Sequence, residues 1–386
     1  MIRRTTIITL ELLGAALAGA AIILAFLTWR LTQEGPIHLR FLSSYVEQAL
    51  IRSDQPYRIA IDDTVLTWAG WDRALDVRAM NLRVRDLDGR ELANLPEVSI
   101  TFSARAMFKG LVAPSKIEII GPKLTLIRNK DGSLAFGPGG VTSEPTTKDT
   151  NGSFEALMLL ASDMLEPPDR TKPTGYLTSA AVLNGNLQVI DNVTGLTWQA
   201  DNFGAEARRE PGGLVGDLFA ALPQFGDPAI VSAKLDYRRD TRKLALDASI
   251  ASLQLSSLGL IEPALSDLST TDLAITAKVQ TSIEIANEQL GDLGEVNFSL
   301  ASGAGALDLP NLTKQPIPVT SLNVAGRLDR DGDIMSISSL DIDIGGPRIT
   351  AKADWQGAFS GKAKDGGAPI LAADLKVVNL PAELLD

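Results

Sequence analysis

The sequence predicts a mostly β chain: an N-terminal transmembrane helix, then a long curved antiparallel β-sheet with a few short amphipathic helices. Three observations carry this. An apolar run follows Met1-Ile2-Arg3-Arg4, a two-residue hydrophobic period begins at Tyr57 and persists, and no alternation of strand and helix patterns interrupts it.

From Leu12 to Trp29 no residue is charged, and only Glu11 interrupts the run back to Thr5. That approaches the roughly 20 residues needed to cross a hydrocarbon core. Small-residue cleavage sites such as Ala16-Leu17-Ala18 fall in mid-run, and the run exceeds a signal peptide's apolar region, so an uncleaved anchor is expected. Its anchoring residues would include Leu12, Leu17, Ile22, Leu24, Phe26 and Trp29. Arg3 and Arg4 keep the N-terminus cytoplasmic and place everything after Leu31 outside. Glu11 lies near the cytoplasmic end and reaches the interface.

Pro36 to Leu50 carries Leu39, Leu42, Val46 and Ala49 at helical spacing. Without a basic polar face, this helix is expected to cap the strands after it rather than lie on lipid. From Tyr57 the period is two. Leu75, Val77 and Ala79 alternate with Asp76 and Arg78, slip one residue at Ala79-Met80, and resume as Leu82 and Val84. Ile117 and Ile119 slip at Ile119-Ile120 and resume as Leu124 and Leu126. Such slips predict β-bulges, which keep one apolar face while bending the sheet. Asp88-Gly89 and Asp131-Gly132 end the two stretches, a short internal repeat.

Gly137 to Gly152 reads as a disordered loop, and Phe154 to Leu165 as a helix that Pro167-Pro168 ends. Leu214 to Leu222 is expected to form a further short helix. Val231 to Tyr237 and Leu244 to Ile250 predict a hairpin turning at Asp240. Leu273 to Ile285 holds one parity throughout. Leu322, Val324 and Leu328 are expected to pair with Ile342 and Ile344 across Asp331-Gly332; Ile349 to Trp355 and Leu371 to Leu375 add strands. The expected division is 1–35 (cytoplasmic tip and anchor), 36–136 (first β unit), 137–170 (loop and helix) and 171–386 (second β unit).

Composition removes most chemistries. There is no cysteine and one histidine, so disulfides, thiol catalysis and His-cluster metal sites are excluded. The net charge of −11 disfavours nucleic acid. Asp329-Arg330-Asp331-Gly332-Asp333 lacks the spacing of a calcium loop, and Gly137-Pro138-Gly139-Gly140 and Gly303-Ala304-Gly305 lack the setting of a phosphate loop. His38 reads as a surface residue with no partner in sequence reach. Asp and Glu lie singly on polar strand faces, which are expected to meet water. Trp68 and Trp71 read as aromatic core closure. No enzyme and no cofactor is expected.

Val65-Leu66-Thr67-Trp68-Ala69-Gly70-Trp71-Asp72 after an N-terminal anchor, Leu95-Pro96-Glu97-Val98, the stretch Lys116 to Arg128, and Asp131-Gly132-Ser133 together resemble AsmA-like envelope proteins of Gram-negative bacteria, the set that includes AsmA, TamB and YhdP. The motifs cover residues 1–136; beyond them only the β periodicity is similar. The resemblance implies a repeating β-groove lipid transfer protein, anchored in the bacterial inner membrane with its bulk in the periplasm. It implies phospholipids as ligands and outer-membrane or periplasmic protein partners in outer membrane biogenesis. Members of the set are longer, so the chain is either a short member or the N-terminal part of a longer one.

The residues lead to a compatible reading without that name. A sheet with one apolar face must hide it, and curling around acyl chains is one way. The groove candidates are Val77, Leu82, Val84, Ile117, Leu124, Leu126, Leu235, Leu246, Ile275, Val279, Leu322, Val324, Ile342 and Ile349. Leu82→Glu or Ile275→Lys is then expected to abolish lipid binding and leave a folded sheet. Three alternatives stand beside it: a non-enzymatic envelope scaffold or outer-membrane protein assembly factor acting through sheet edges, an extracytoplasmic enzyme such as a hydrolase, whose polar constellation the sequence does not show, and a closed β-sandwich with a dry core.

Overall fold

The computed structural model describes residues 57–67, 76–86, 91–107, 109–131, 134–138, 163–193, 195–224, 227–257, 263–286, 289–308, 310, 315–329, 333–358, 360–361 and 368–379, with scattered positions before residue 57. Strands take up 66% of the described residues, so the mostly β expectation holds. Among the described residues no helix is long and apolar enough to cross a membrane, and most of the expected anchor lies outside them. Ile22, Phe26 and Trp29 are helical and exposed, the latter two with ring centroids 6.0 Å apart.

Two compact units result, Met1–Ile120 and Gly121–Asp386. This boundary falls earlier than the one expected at residue 136. The reason is that the strand after Gly121 pairs with later strands, which the local pattern does not reveal.

The first unit is one antiparallel sheet. β1 (Ile37–His38) pairs with β3 (Asp63–Thr67), and β3 with the first half of β4 (Asp76–Asp86). β2 (Tyr57–Ala60) continues the line of β3 along the second half of β4. β5 (Glu91–Phe102) lies on the other side of β4, and β6 (Pro114–Ile120) beyond it. The helix expected from Pro36 is therefore corrected at its start: Ile37 and His38 are strand residues, because Ile37 has Leu66 as a cross-strand partner. Ser43, further on, is helical and bonds to Thr64 (2.9 Å between hydroxyl oxygens).

The slip at Ala79-Met80 is real, but it is built without an inserted residue. Asn81 takes φ 51 while register stays constant on both sides, Met80 opposite Glu97 and Leu82 opposite Leu95. One left-handed residue reverses the facing of the strand, and Asn is among the few side chains that accept it. The partner strand changes parity with it, at Pro96, so Ala79, Leu82, Val98 and Ile100 gather with Ile61 in one core. The second slip, at Ile119-Ile120, is a strand end: β6 stops at Ile120 and Gly121 turns the chain at φ +66.

In the second unit β7 (Lys123–Arg128) pairs with β8 (Leu134–Pro138), and in parallel with β9 (Ser179–Asp191). This corrects the wholly antiparallel expectation. The chain leaves β8 and crosses over before β9, and such a connection is what a parallel pair requires. Gly137 and Pro138, read as loop, are strand residues of β8; 139–162 lie outside the described residues. From β9 onward the sheet is an antiparallel meander: β10 (Leu196–Glu210), β11 (Gly213–Leu222), β12 (Ala229–Arg238), β13 (Lys243–Gln254) and β14 (Ala274–Ala286). β14 pairs next with β15 (Gln289–Leu293) at one end and β16 (Val296–Ser302) along the rest. β17 (Gly305–Leu307) and β18 (Ile317–Val319) form a separate ribbon. The main sheet continues with β19 (Ser321–Asp329), β20 (Ile334–Asp343), β21 (Arg348–Gln356) and β22 (Ile370–Val378).

The helix expected over Leu214 to Leu222 is strand β11 instead. Its apolar residues satisfy both periods, and pairing on both edges decides the case. The helix before Pro167-Pro168 does end at Leu165. Two arginines hold that end: Arg209 donates to the carbonyls of Asp163, Met164, Thr174 and Leu177, and Arg239 to those of Met164, Leu165, Glu210, Pro211 and Gly213. Orphan carbonyls at a helix end accept such donors. Burial, and then the neighbouring Arg239, pull the Arg209 guanidinium below its usual value.

Candidate functional site

The longest apolar surface is one face of β12–β22. Val231, Ala233, Leu235 and Tyr237 stand opposite Ile250, Ala248, Leu246 and Leu244. Val279 and Ala277 carry the rows to Phe298 and Leu300, and these to Gly326 and Val324. Leu322 and Val324 face Ile342 and Leu340, and Ile342 faces Ile349, which faces Val377. Eight strands (β12, β13, β14, β16, β19, β20, β21 and β22) thus present one band.

Bulges preserve the band. Register shifts between Ile250 and Leu253 against β14, with Ser252 at φ 58. Another falls between Ile337 and Leu340 against β21, at Ser338-Ser339. Without the extra residue, Met335 and Ile337 would face opposite to Leu340 and Ile342.

The band is not sealed. Nearly all its side chains are half-buried, packed sideways against one another. Ile275, 3% exposed, is the exception among the large residues of β12–β22, lying next to buried Leu273. Toward the last strands exposure rises, to 65% at Leu371 and 67% at Leu375. The opposite face is charged and paired in place. Arg348 grips both carboxylate oxygens of Asp341 (2.8 and 2.5 Å), and its hydrogen bond holds that carboxyl below the usual range. Arg208 bridges Glu206 and Asp217, and the hydrogen bond it donates to Asp217 raises its guanidinium.

Eight of the expected groove residues meet on this face: Leu235, Leu246, Ile275, Val279, Leu322, Val324, Ile342 and Ile349. The others do not. Val77 and Ile117 lie in the first unit, both opposite Ile100. Leu82, 5% exposed, is part of that unit's core, and Val84 is in β4 with its side chain outside the described residues. Leu124 and Leu126 face Leu187 and Val189 of β9, while Thr125 and Ile127, on the side expected to be wet, are more deeply buried. Leu82→Glu and Ile275→Lys therefore strike packed positions and would damage the fold itself. Phe298, Leu300, Met335, Ile337 and Leu340 belong to the band but were absent from the expected set; the alternation of Val296, Phe298 and Leu300 was the available signal.

One polar expectation holds and one is corrected. His38 is exposed, as a surface residue should be, and the β1–β3 pairing brings it a partner from beyond sequence reach, Asp63 (Nδ1 to Oδ2, 2.6 Å). The polar face of the first unit is not uniformly wet. Asp76 is 0% exposed, accepting from Ser99 Oγ (2.5 Å) and Arg78 Nε (2.8 Å). Arg78 also donates to Glu97 (2.5 Å), and buried Glu118 pairs with Lys116 (2.8 Å). Burial pulls the Arg78 guanidinium down, but Asp76 and Glu97 outweigh it and the net shift is upward. These groups are consumed by one another, as a buried charge requires. Trp68 and Trp71 lie outside the described residues. Among the described residues no three metal-binding side chains converge.

No family model matches the chain, and no curated protein or solved structure matches it significantly.

Proposed function

We propose that this chain is a membrane-anchored lipid-binding protein of the AsmA-like kind, which takes acyl chains on the apolar face of β12–β22. The observation that carries the reading is the persistence of that face across eight laterally paired strands with its large side chains, Ile275 apart, left half-buried or exposed. A dry sandwich core would bury them almost completely. An exposed apolar surface of this extent calls for an apolar ligand or partner. Seven strand spacings of about 4.8 Å make it roughly 34 Å long across the strands.

The proposed role is phospholipid carriage between inner and outer membranes, with the anchor in the inner membrane, the N-terminus in the cytoplasm and the strands in the periplasm. The apolar run from Leu12 to Trp29 and the basic pair Arg3-Arg4 support the anchoring. No step needs a catalytic residue: chains slide over aliphatic side chains while headgroups stay in water. Contact of this type grows with chain length and discriminates headgroups poorly.

A photoreactive residue at Val324 or Leu246, in full-length protein within its native membrane, tests this. Crosslinks to phospholipid from both positions, and none from Thr350 on the opposite face, are expected. Crosslinks to protein alone would shift the case to the scaffold reading, in which the face is covered by a partner.

A further inference from the structure

The connection between β5 and β6 is a compact loop, residues 103–113, at one end of the first unit's sheet. It opens with a single helical turn, Ala104–Met107, and closes on itself through its own backbone. Ser103 donates its N–H to the Ala113 carbonyl (2.9 Å) and Met107 to Ser103 (3.0 Å). Lys109 and Leu111 both donate to Ala106 (2.8 and 3.0 Å), and Gly110 turns the chain at φ +73. Ala106 and Ala113 are 0% exposed, so small side chains fill the inside of the loop. The large ones point away from it: Met107 is 59% exposed, Leu111 41% and Val112 69%. Arg105 and Lys109 are exposed beside them, and from Val98 to Ile117 no residue is acidic, in a chain of net charge −11.

The topology fixes where this loop stands. Ile37, Leu66, Val77 and Ile100 are successive cross-strand partners, one row across β1, β3, β4 and β5. β1 is antiparallel to β3, so the chain enters β1 at the same end of the sheet at which it leaves β5 for the loop. Trp29, Arg30 and Gln33 are helical, and from Gln33 to Ile37 the chain spans at most about 14 Å. Three strand spacings, about 14 Å, separate that entry from β5.

We propose that loop 103–113 is a second membrane contact. Met107, Leu111 and Val112 enter the surface of the bilayer that holds the anchor, and Arg105 and Lys109 meet its anionic headgroups. A lipid surface fits better than a protein partner for three reasons. The loop's backbone donors are met within the loop, as surroundings poor in water require. Basic residues border the apolar ones with no acid among them, the composition that binds anionic lipid. The anchor brings a bilayer to this end of the sheet, and long Arg and Lys stems reach from an inserted tip back to the headgroups. One helix and one loop together fix the tilt of the first unit on the membrane, which a single helix leaves free. The inference rests on the anchoring part of the proposed function and not on lipid in the band.

The chain has no cysteine, so one introduced thiol labels one place. Full-length Val112→Cys carrying an NBD dye is reconstituted into vesicles of phosphatidylcholine, phosphatidylglycerol and nitroxide-labelled lipid. The reference is Arg58→Cys, exposed on β2 at the far end of the same sheet. Quenching at position 112 several-fold above that at 58 is expected, and with no other protein in the vesicles only lipid can cause it. Met107→Asp with Leu111→Asp should bring it to the reference level, with circular dichroism and flotation with the vesicles unchanged. A position-112 dye quenched no more than the reference, on protein that floats, overturns the loop contact and leaves the anchor standing. Quenching indifferent to the two aspartates also overturns it. Protein that does not float overturns the anchoring itself, and the loop contact with it.

Discussion

The ring of Phe298 occupies the space that a side chain at Gly326 would need. The two are direct cross-strand partners on β16 and β19, and a Cβ at Gly326 would stand 2.6 Å from Phe298 Cζ and closer still to the Ser336 carbonyl. An aromatic laid over a strand glycine closes the gap that glycine leaves. On the other face Phe219 covers Gly204 in the same way. Gly326→Val is expected to destabilise the second unit by about 2 kcal/mol through overpacking, read as a lower urea midpoint. An unchanged midpoint would mean that the ring moves aside freely.

Asp76 anchors the polar side of the first unit. Asp76→Ala leaves Ser99 without this acceptor and Arg78 with Glu97 alone, and a loss of about 3 kcal/mol is expected by chemical denaturation. Arg78 is partly exposed and can turn to water, so Arg78→Met should cost clearly less. Equal costs would show that the deeper burial of Asp76 adds nothing beyond the pairing itself.

The Asp341–Arg348 pair predicts an acid-side effect. The folded carboxyl lies below its unfolded value, so the pair's contribution is present above the unfolded value near pH 4 and is lost as pH falls through the folded one. Arg348→Gln should lower stability at pH 7 and converge with the wild type in strong acid. Both groups are solvent-accessible, so high salt should shrink the difference. A difference that grows on acidification would be inconsistent with the pairing.

Val279→Glu and Val324→Glu put a charge on the band at half-buried positions. Lipid retained on purification, counted by native mass spectrometry, is expected to fall several-fold while the strand signal in circular dichroism persists. Lys352→Glu, on the exposed opposite face, should leave it unchanged. Full lipid retention in both band variants would locate the lipid elsewhere.

Much of the second unit is legible in its alternation alone. Val231 to Tyr237 and Leu244 to Ile250 specify a hairpin, and Leu235 does face Leu246, because a period of two with one apolar face fixes the parity and the short turn at Asp240 fixes the register. Leu322 meets Ile342 for the same reason. The absence of thiols and of histidine clusters follows from composition. Local pattern fails where a partner strand arbitrates. Leu214 to Leu222 fits helix or strand until β10 and β12 pair with it, and the parallel partnership of β7 and β9 joins segments far apart in the chain. Asn81 marks the parity reversal, yet nothing local shows that Pro96 reverses with it. Nor can alternation separate Leu82, sealed in a core, from Val324, left half open: both are apolar residues on the apolar side of a strand. Periodicity determines which way a side chain points, since that depends only on the backbone of its own strand. Whether anything lies over it depends on elements elsewhere in the chain, and only the tertiary structure decided that.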